Sequence, residues 1–139
     1  DDITTILYSD HGVALYGNAV IVNTDFAAAN PEVVTAALGA IAMGVKDAIA
    51  DPAAGAAAVI ARNPAGDVAL ETRRLQLALD ANIVTPWVRA NGMGDIDPVR
   101  MATAIEQLRL TYEFQNAPDA ALYFTNAYLP DAAVRMVAQ

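Results

Sequence analysis

The apolar residues between positions 30 and 50 recur with the period of an α-helix. One face of this helix is formed by five residues at intervals of 4, 3, 4 and 4: Val34, Leu38, Ile41, Val45 and Ile49. Asn30 before Pro31 is typical of a helix start, because proline lacks the N–H that would have no partner in the first turn. The pattern predicts one continuous helix from Asn30 to about Ala50, the longest in the chain. Gly39 and Gly44 each lower helix propensity by about 1 kcal/mol, which predicts another element packed closely against them.

Three other segments have the composition of β-strands. They are Ile3–Tyr8, Tyr16–Asn23 and, more weakly, Leu122–Phe124. The β-branched run Val20–Val22 in the second segment is typical of a strand buried on both faces. Because a buried strand needs partners on both edges, we expect most strands of its sheet to come from residues outside this chain.

Further helices are predicted by capping signals. Asp51-Pro52 should start a helix that runs to about Arg62. A second helix should start at Asp67 and run to about Asn82, and a third should start at Asp97-Pro98. A last short helix is expected from Pro130 to about Val137, whereas Pro86, Gly92 and Gly94 predict a loop over residues 83–96. The predicted fold class is therefore α/β, with two or three strands and about five helices.

Charge and composition exclude several classes of function. The net charge is −8 and Lys and Arg total only 8, which argues against nucleic-acid binding. With no cysteine and one histidine, an ordinary zinc site is not expected, and we predict no metal and no cofactor. The uncharged stretch His11–Thr24 is shorter than the roughly 20 residues of a membrane span, so no membrane insertion is expected.

Polar residues near the central predicted strand are candidate ligand contacts. Ser9, Asp10 and His11 are the residue types of a hydrolase triad, but consecutive residues of an extended chain point to alternate sides and cannot form that relay. Together with Tyr16 and Asn18 they could line the mouth of a cleft; ordinary polarity of a hinge loop is the alternative.

A second group of candidates follows Thr85-Pro86. Trp87 could stack on a planar ligand and Arg89 could bind an anionic group, or Trp87 could cover a helix junction while Arg89 meets a surface carboxylate. The glycines and aspartates of residues 91–97 lack the spacing of a nucleotide-binding loop and the glutamate of a calcium loop. A turn before the Asp97 helix explains them, and no catalytic residue is predicted.

Three stretches resemble one bacterial family: LYGNAVIVNTDFAAANPEVVTAALGAIAMGVKDAIADP, RLQLALDANIVTPWVRANGMGDIDPVRMATAIEQL and NAYLPDAAVRMV. They are similar to the solute-binding proteins of ABC transporters for sulfonates, taurine, nitrate and thiamine precursors. The resemblance covers nearly all of this chain but only the C-terminal half of the family's two-lobed, type II periplasmic-binding-protein fold. It implies that residues 1–15 end the second lobe and cross over, and that residues 16–139 return into the first lobe.

The resemblance also implies a function. We expect a periplasmic protein without catalysis that captures a small solute, anionic or heteroaromatic, and delivers it to an ABC permease. The missing N-terminal half should cover apolar surface that this chain leaves exposed. The alternatives are an enzyme like the pyrimidine-forming proteins of thiamine synthesis, which use histidine and metal chemistry, and a helical interaction fragment.

Overall fold

The computed structural model describes residues 4–116 and 119–137, and it is helical over most of them. A 3₁₀ turn spans Tyr8–His11, and a π-helical turn spans Leu79–Ile83. The α-helices are α1 Thr24–Ala29, α2 Pro31–Ala50, α3 Pro52–Ile60, α4 Val68–Ala78, α5 Pro86–Asn91, α6 Pro98–Arg109, α7 Ala120–Tyr123 and α8 Ala132–Arg135.

The long helix is confirmed. α2 runs without a break for 20 residues and is the longest helix of the described residues. Pro130 lies 3.9 Å from where a Cβ would stand on Gly39, so the predicted close packing occurs there. At Gly44 nothing comes within 4 Å, and the prediction of close packing is wrong at that position.

The aspartate caps are confirmed as well. The side chains of Asp51, Asp67 and Asp97 accept hydrogen bonds from backbone amides in the first turns of α3, α4 and α6, at 2.9, 2.7 and 2.8 Å. Each bond satisfies an amide that has no partner within its own helix. These local signals explain why the helix starts were readable from the sequence.

The predicted α/β fold with two or three strands is wrong for the described residues, which contain no strand and no sheet. Tyr8 belongs to the 3₁₀ turn, Tyr16–Val22 has no regular structure, and Leu122 lies in α7. A strand is stabilised by a ladder of bonds to a neighbour. The described part of this chain provides no such neighbour, so a β-branched run alone does not produce a strand.

Two smaller predictions also need correction. The segment expected to be a loop contains α5, whose N-cap Thr85 accepts a hydrogen bond from the amide of Val88 at 3.3 Å. The last helix, expected from Pro130 to about Val137, is only the single turn Ala132–Arg135.

The chain forms two compact units. The first contains Asp1–Val22 and Ile96–Asn126, and the second contains Asn23–Asp95 and Ala127–Gln139. In the second unit, α3 packs on α4, and α2 contacts both α3 and α8. The assignment of residues 1–15 and 16–139 to two lobes stays a prediction.

An arginine fixes the C-terminal part of the second unit. Arg135 donates hydrogen bonds to the carbonyls of Pro130 at 3.0 Å and Met93 at 2.9 Å, with a weaker contact to Asn91 at 3.4 Å. The amide of Met93 donates in return to the Arg135 carbonyl at 3.0 Å. These bonds hold the turn after α5 against α8.

Few large side chains are buried. The hydrophobic residues classed as buried are Ala27, Val34, Ala42, Ala56, Leu79, Ala104 and Val137. The accessible surface is 10269 Å², whereas even two separate compact units of these sizes would expose about 8,300 Å². Much apolar surface therefore stays open to other molecules.

Part of that surface lies on α2. By length and composition alone this helix could cross a membrane, and 17% of its most apolar window is buried. The apolar core helix of a soluble protein passes the same test. The expectation of no membrane insertion stays a prediction.

Candidate functional site

Three candidate residues lie together in the 3₁₀ turn at the start of the described chain. Ser9, Asp10 and His11 are all exposed. The turn ends at Gly12, whose φ of +83° is in the left-handed region that glycine adopts readily. Among the described residues no hydrogen bond joins the three side chains, so the geometry gives no support to triad chemistry.

The next five residues, Gly12–Tyr16, form a segment that we call the strap. α6 holds the strap mainly through hydrogen bonds from helix side chains to strap carbonyls. Gln107 donates to the carbonyl of Gly12 at 2.7 Å. Arg100 donates from Nε to the carbonyl of Ala14 at 2.7 Å and from Nη2 to that of Leu15 at 2.8 Å.

Tyr16 ends the strap with two contacts to α6. Its hydroxyl accepts a hydrogen bond from the amide of Asp97 at 2.7 Å. The guanidinium carbon of Arg100 lies 4.1 Å from the centre of its ring, in a cation–π arrangement. One face and the polar end of Tyr16 are thus used to hold the strap.

These contacts give the strap a direction along the helix. Its first residue, Gly12, meets Gln107, and its last, Tyr16, meets Asp97, so the strap runs antiparallel to α6. Asp97 and Gln107 are ten residues apart in the sequence, which corresponds to about 15 Å along the helix axis. The consecutive carbonyls of Ala14 and Leu15 both reach Arg100, which a regular pleated strand would prevent because its carbonyls alternate in direction.

Asn18 follows the strap in an exposed, irregular segment. Its side chain makes no hydrogen bond to the described residues. The apolar residues beyond it are exposed too, with Val20 at 61% and Ile21 at 92%. This part of the chain presents both a polar candidate residue and unpaired backbone to its surroundings.

The remaining candidates, Trp87 and Arg89, lie on α5. Trp87 is half-buried, and its indole Nε1 is buried with no hydrogen-bond acceptor among the described residues. Arg89 is exposed and lies in the last turn of the helix. Partial burial leaves some of the Trp87 ring exposed, and both interpretations, a junction cover and a stacking surface for a ligand, stay predictions.

The predicted set is divided between the two units. Ser9, Asp10, His11, Tyr16 and Asn18 belong to the first unit, on or beside the strap. Trp87 and Arg89 belong to the second unit. A single cleft lined by all seven residues stays a prediction. Within the described residues no group of three or more His, Cys, Asp or Glu side chains could hold a metal ion.

Sequence reasoning missed Arg100 and Gln107. Their partners are main-chain carbonyls far away in the sequence, which leave no motif. The available signal was spacing, because Arg100, Ala104 and Gln107 lie on one face of α6 at helical intervals. Ala104, 6% exposed, lies between the two polar residues.

Comparison with protein families gives one match. Residues 1–55 match the model of the family described as NMT1/THI5 like. The matched region includes the 3₁₀ turn, the strap, Asn18, α1 and α2. Comparison of the chain with curated proteins and with solved structures gives no significant match.

Proposed function

We propose that this chain is part of a solute-binding protein that captures a small molecule without transforming it. The observation that carries the proposal is the NMT1/THI5-like match over residues 1–55. That match includes five of the seven candidate ligand-binding residues. Three of the five, Ser9, Asp10 and His11, are exposed polar residues of one turn, beside a strap that α6 holds in place.

The proposed partner protein is an ABC permease, and the proposed compartment is the periplasm. Both come from the resemblance to the sulfonate, taurine, nitrate and thiamine-precursor binding proteins. In such a protein two lobes close around the solute, so that burial of the ligand and closure are coupled.

We propose further that this chain is the C-terminal half of the two-lobed protein. The exposed surface supports this proposal, because it exceeds that of compact units of the same sizes by about 2,000 Å². A standard protein interface covers about 800 Å² on each partner. An N-terminal half packed on the surface around Val20 and Ile21 would bury part of this excess.

The proposed ligand is small and either anionic or heteroaromatic. A chain with a net charge of −8 repels anions at long range, so an anion needs a local cation or a set of donors. Arg89 has the guanidinium for this role, and Ser9 and Asn18 are exposed hydrogen-bond donors. Trp87 offers an aromatic ring for a planar ligand.

Equilibrium titration tests the proposal. Taurine, nitrate and a hydroxymethylpyrimidine are the probes, Trp87 emission is the signal, and the 139-residue chain is compared with the same chain joined to its proposed N-terminal half. We expect saturable binding of at least one probe by the joined protein. Unchanged recovery of that probe after incubation would support binding over the enzyme alternative, whereas a new product would establish turnover.

A matched pair of variants locates the site. Asn18→Ala removes a candidate contact, and Asn63→Ala removes an exposed asparagine in the turn after α3. We expect Asn18→Ala to weaken binding about tenfold, the equivalent of about 1.4 kcal/mol, and Asn63→Ala to leave it unchanged. Absence of binding for every probe by the joined protein would contradict the proposed function, and equal effects of the two variants would contradict the site.

A further inference from the structure

We propose that Arg100 is a positioning residue whose guanidinium clamps the strap onto α6 and thereby presents the candidate ligand-binding residues at both ends of the strap. The clamp itself follows from contacts within the first unit. Only its consequence for a ligand rests on the proposed function.

The first step of the argument is the chemistry of the clamp. Arg100 donates from two guanidinium nitrogens to consecutive carbonyls of the strap, and its guanidinium carbon lies over the ring of Tyr16. Hydrogen bonds from a charged donor are stronger than those between neutral groups, and a planar fork fixes direction as well as distance. Lysine could replace one of these bonds but not the fork.

The second step is the lack of a competing partner. Arg100 takes part in neither the salt bridge Arg74–Glu71 on α4 nor the salt bridge Arg109–Glu106 on α6. Its charge is therefore not drawn away from the strap by a carboxylate. Gln107 and Asp97 bind the two ends of the strap, and Arg100 binds its middle.

The third step is the position of the clamped residues. The 3₁₀ turn with Ser9, Asp10 and His11 precedes the strap directly, and Asn18 follows it after one glycine. No sheet holds this segment in the described chain, so side chains of α6 set its course. Loss of Arg100 should loosen the middle of the strap and leave each end held by a single contact, from Gln107 or from Asp97.

Limited proteolysis of the full chain tests the clamp. Chymotrypsin cleaves after Leu15 and Tyr16, and when opening is fast the cleavage rate follows the population of the opened strap. We expect Arg100→Ala to accelerate cleavage there at least about tenfold and Arg100→Lys to restore part of the protection. Arg109→Ala is the matched control on the same helix and should change the rate less than about twofold, because an exposed i,i+3 ion pair contributes little.

Two further variants keep the proposal falsifiable if Arg100→Ala unfolds the chain. Gln107→Ala removes the bond to Gly12 and should accelerate the same cleavages with the circular dichroism of the helices unchanged. Tyr16→Leu should abolish the ring-current shift of the Arg100 side-chain protons. The chemical shifts of the Arg109 side-chain protons should stay unchanged. Cleavage rates equal to the Arg109→Ala control in both Arg100→Lys and Gln107→Ala, or no ring-current shift in the wild type, would overturn the clamp.

A ligand titration separates the clamp from the function. If taurine, nitrate or the pyrimidine binds the joined protein, Arg100→Lys should weaken binding and Arg109→Ala should not. An undiminished affinity in Arg100→Lys would overturn the presentation role. If no probe binds the wild type, the proposed function and the presentation role fail together, while the proteolysis and the ring-current shift still decide the clamp.

Discussion

The hydroxyl of Tyr16 accepts a hydrogen bond from the backbone amide of Asp97 at 2.7 Å, the residue that also caps α6. The ring of the same tyrosine lies under Arg100. One side chain therefore connects the end of the strap to the first turn of α6 in two chemically separate ways. Substitutions can remove these two contacts one at a time.

Tyr16→Phe keeps the ring and removes the hydroxyl. We expect a loss of about 1 kcal/mol in the free energy of unfolding, because the part-buried amide of Asp97 loses its acceptor. Tyr112→Phe is the control, since Tyr112 is 64% exposed. Urea denaturation measures both; a Tyr16→Phe protein as stable as the Tyr112→Phe protein would show that the bond contributes nothing.

Gly44 and Gly92 should respond to alanine in opposite directions. At Gly44, inside α2, an added Cβ meets nothing within 4 Å, and alanine should stabilise the helix by about 1 kcal/mol. At Gly92 φ is +82° and the Cβ would lie 3.2 Å from Arg135, so alanine should destabilise by at least about 1 kcal/mol. Thermal unfolding of the two variants checks the sign of each effect, and a shared sign would contradict the prediction.

Asp51→Ala should destabilise α3 by about 1 kcal/mol, since the amide of Ala54 loses its cap. Asp47→Ala, one turn earlier, is the matched control. Asp47 is exposed near the C-terminus of α2, where a negative charge opposes the helix dipole, so its removal should be neutral or slightly stabilising. Chemical denaturation should give a lower free energy of unfolding for Asp51→Ala than for Asp47→Ala.

Arg135→Ala should cost about 2 kcal/mol or more, because it removes bonds to the carbonyls of Pro130 and Met93. Arg74→Ala breaks only a surface pair with Glu71, in which the arginine side chain is 64% exposed, and should cost less than about 0.5 kcal/mol. Equal losses in the midpoint of unfolding would show that the contacts of Arg135 are no stronger than a surface pair.

Ile21→Lys tests whether the exposed segment drives association. Ile21 is 92% exposed, so a lysine there removes apolar surface without disturbing a core. We expect the 139-residue chain to self-associate and to bind a hydrophobic dye, and Ile21→Lys to reduce both. Sedimentation velocity measures association, with Thr4→Lys as a charge-matched control. A wild-type chain that sediments as a monomer and binds no dye would contradict the proposal that more protein covers this surface.

The helices were predictable because their signals are local. Asn30-Pro31, Asp51-Pro52 and Asp97-Pro98 each place a cap-type residue before a first-turn proline, and the structure starts a helix at every one, although the side chain of Asn30 makes no capping bond. Thr85-Pro86 carries the same signal; the glycines that follow it made the segment resemble a loop, and α5 was missed. Leu122–Phe124 is too short to show a period, and in the structure Asp119 caps the helical turn that contains Leu122 by accepting a hydrogen bond from the amide of Ala121.

The strands failed for the opposite reason. The β-branched residues Val20–Val22 favour an extended backbone, but a strand forms only where a neighbouring strand supplies hydrogen-bond donors and acceptors. The contacts of Arg100 could not be predicted from the sequence for a similar reason. Its partners are backbone carbonyls, which every residue has, so no residue type marks them. The seven candidate residues could be named from polarity and position, whereas their division between two units depends on contacts distant in sequence.

The clamp recognises the main chain of the strap and hardly its side chains. Arg100 and Gln107 bind carbonyls of Gly12, Ala14 and Leu15, which would remain if Ala14 or Leu15 were replaced by another residue other than proline. Mutational drift at these two positions is therefore compatible with an unchanged course of the backbone. The side chains at positions 14 and 15 can thus change without any change in α6, which holds the strap as a fixed scaffold.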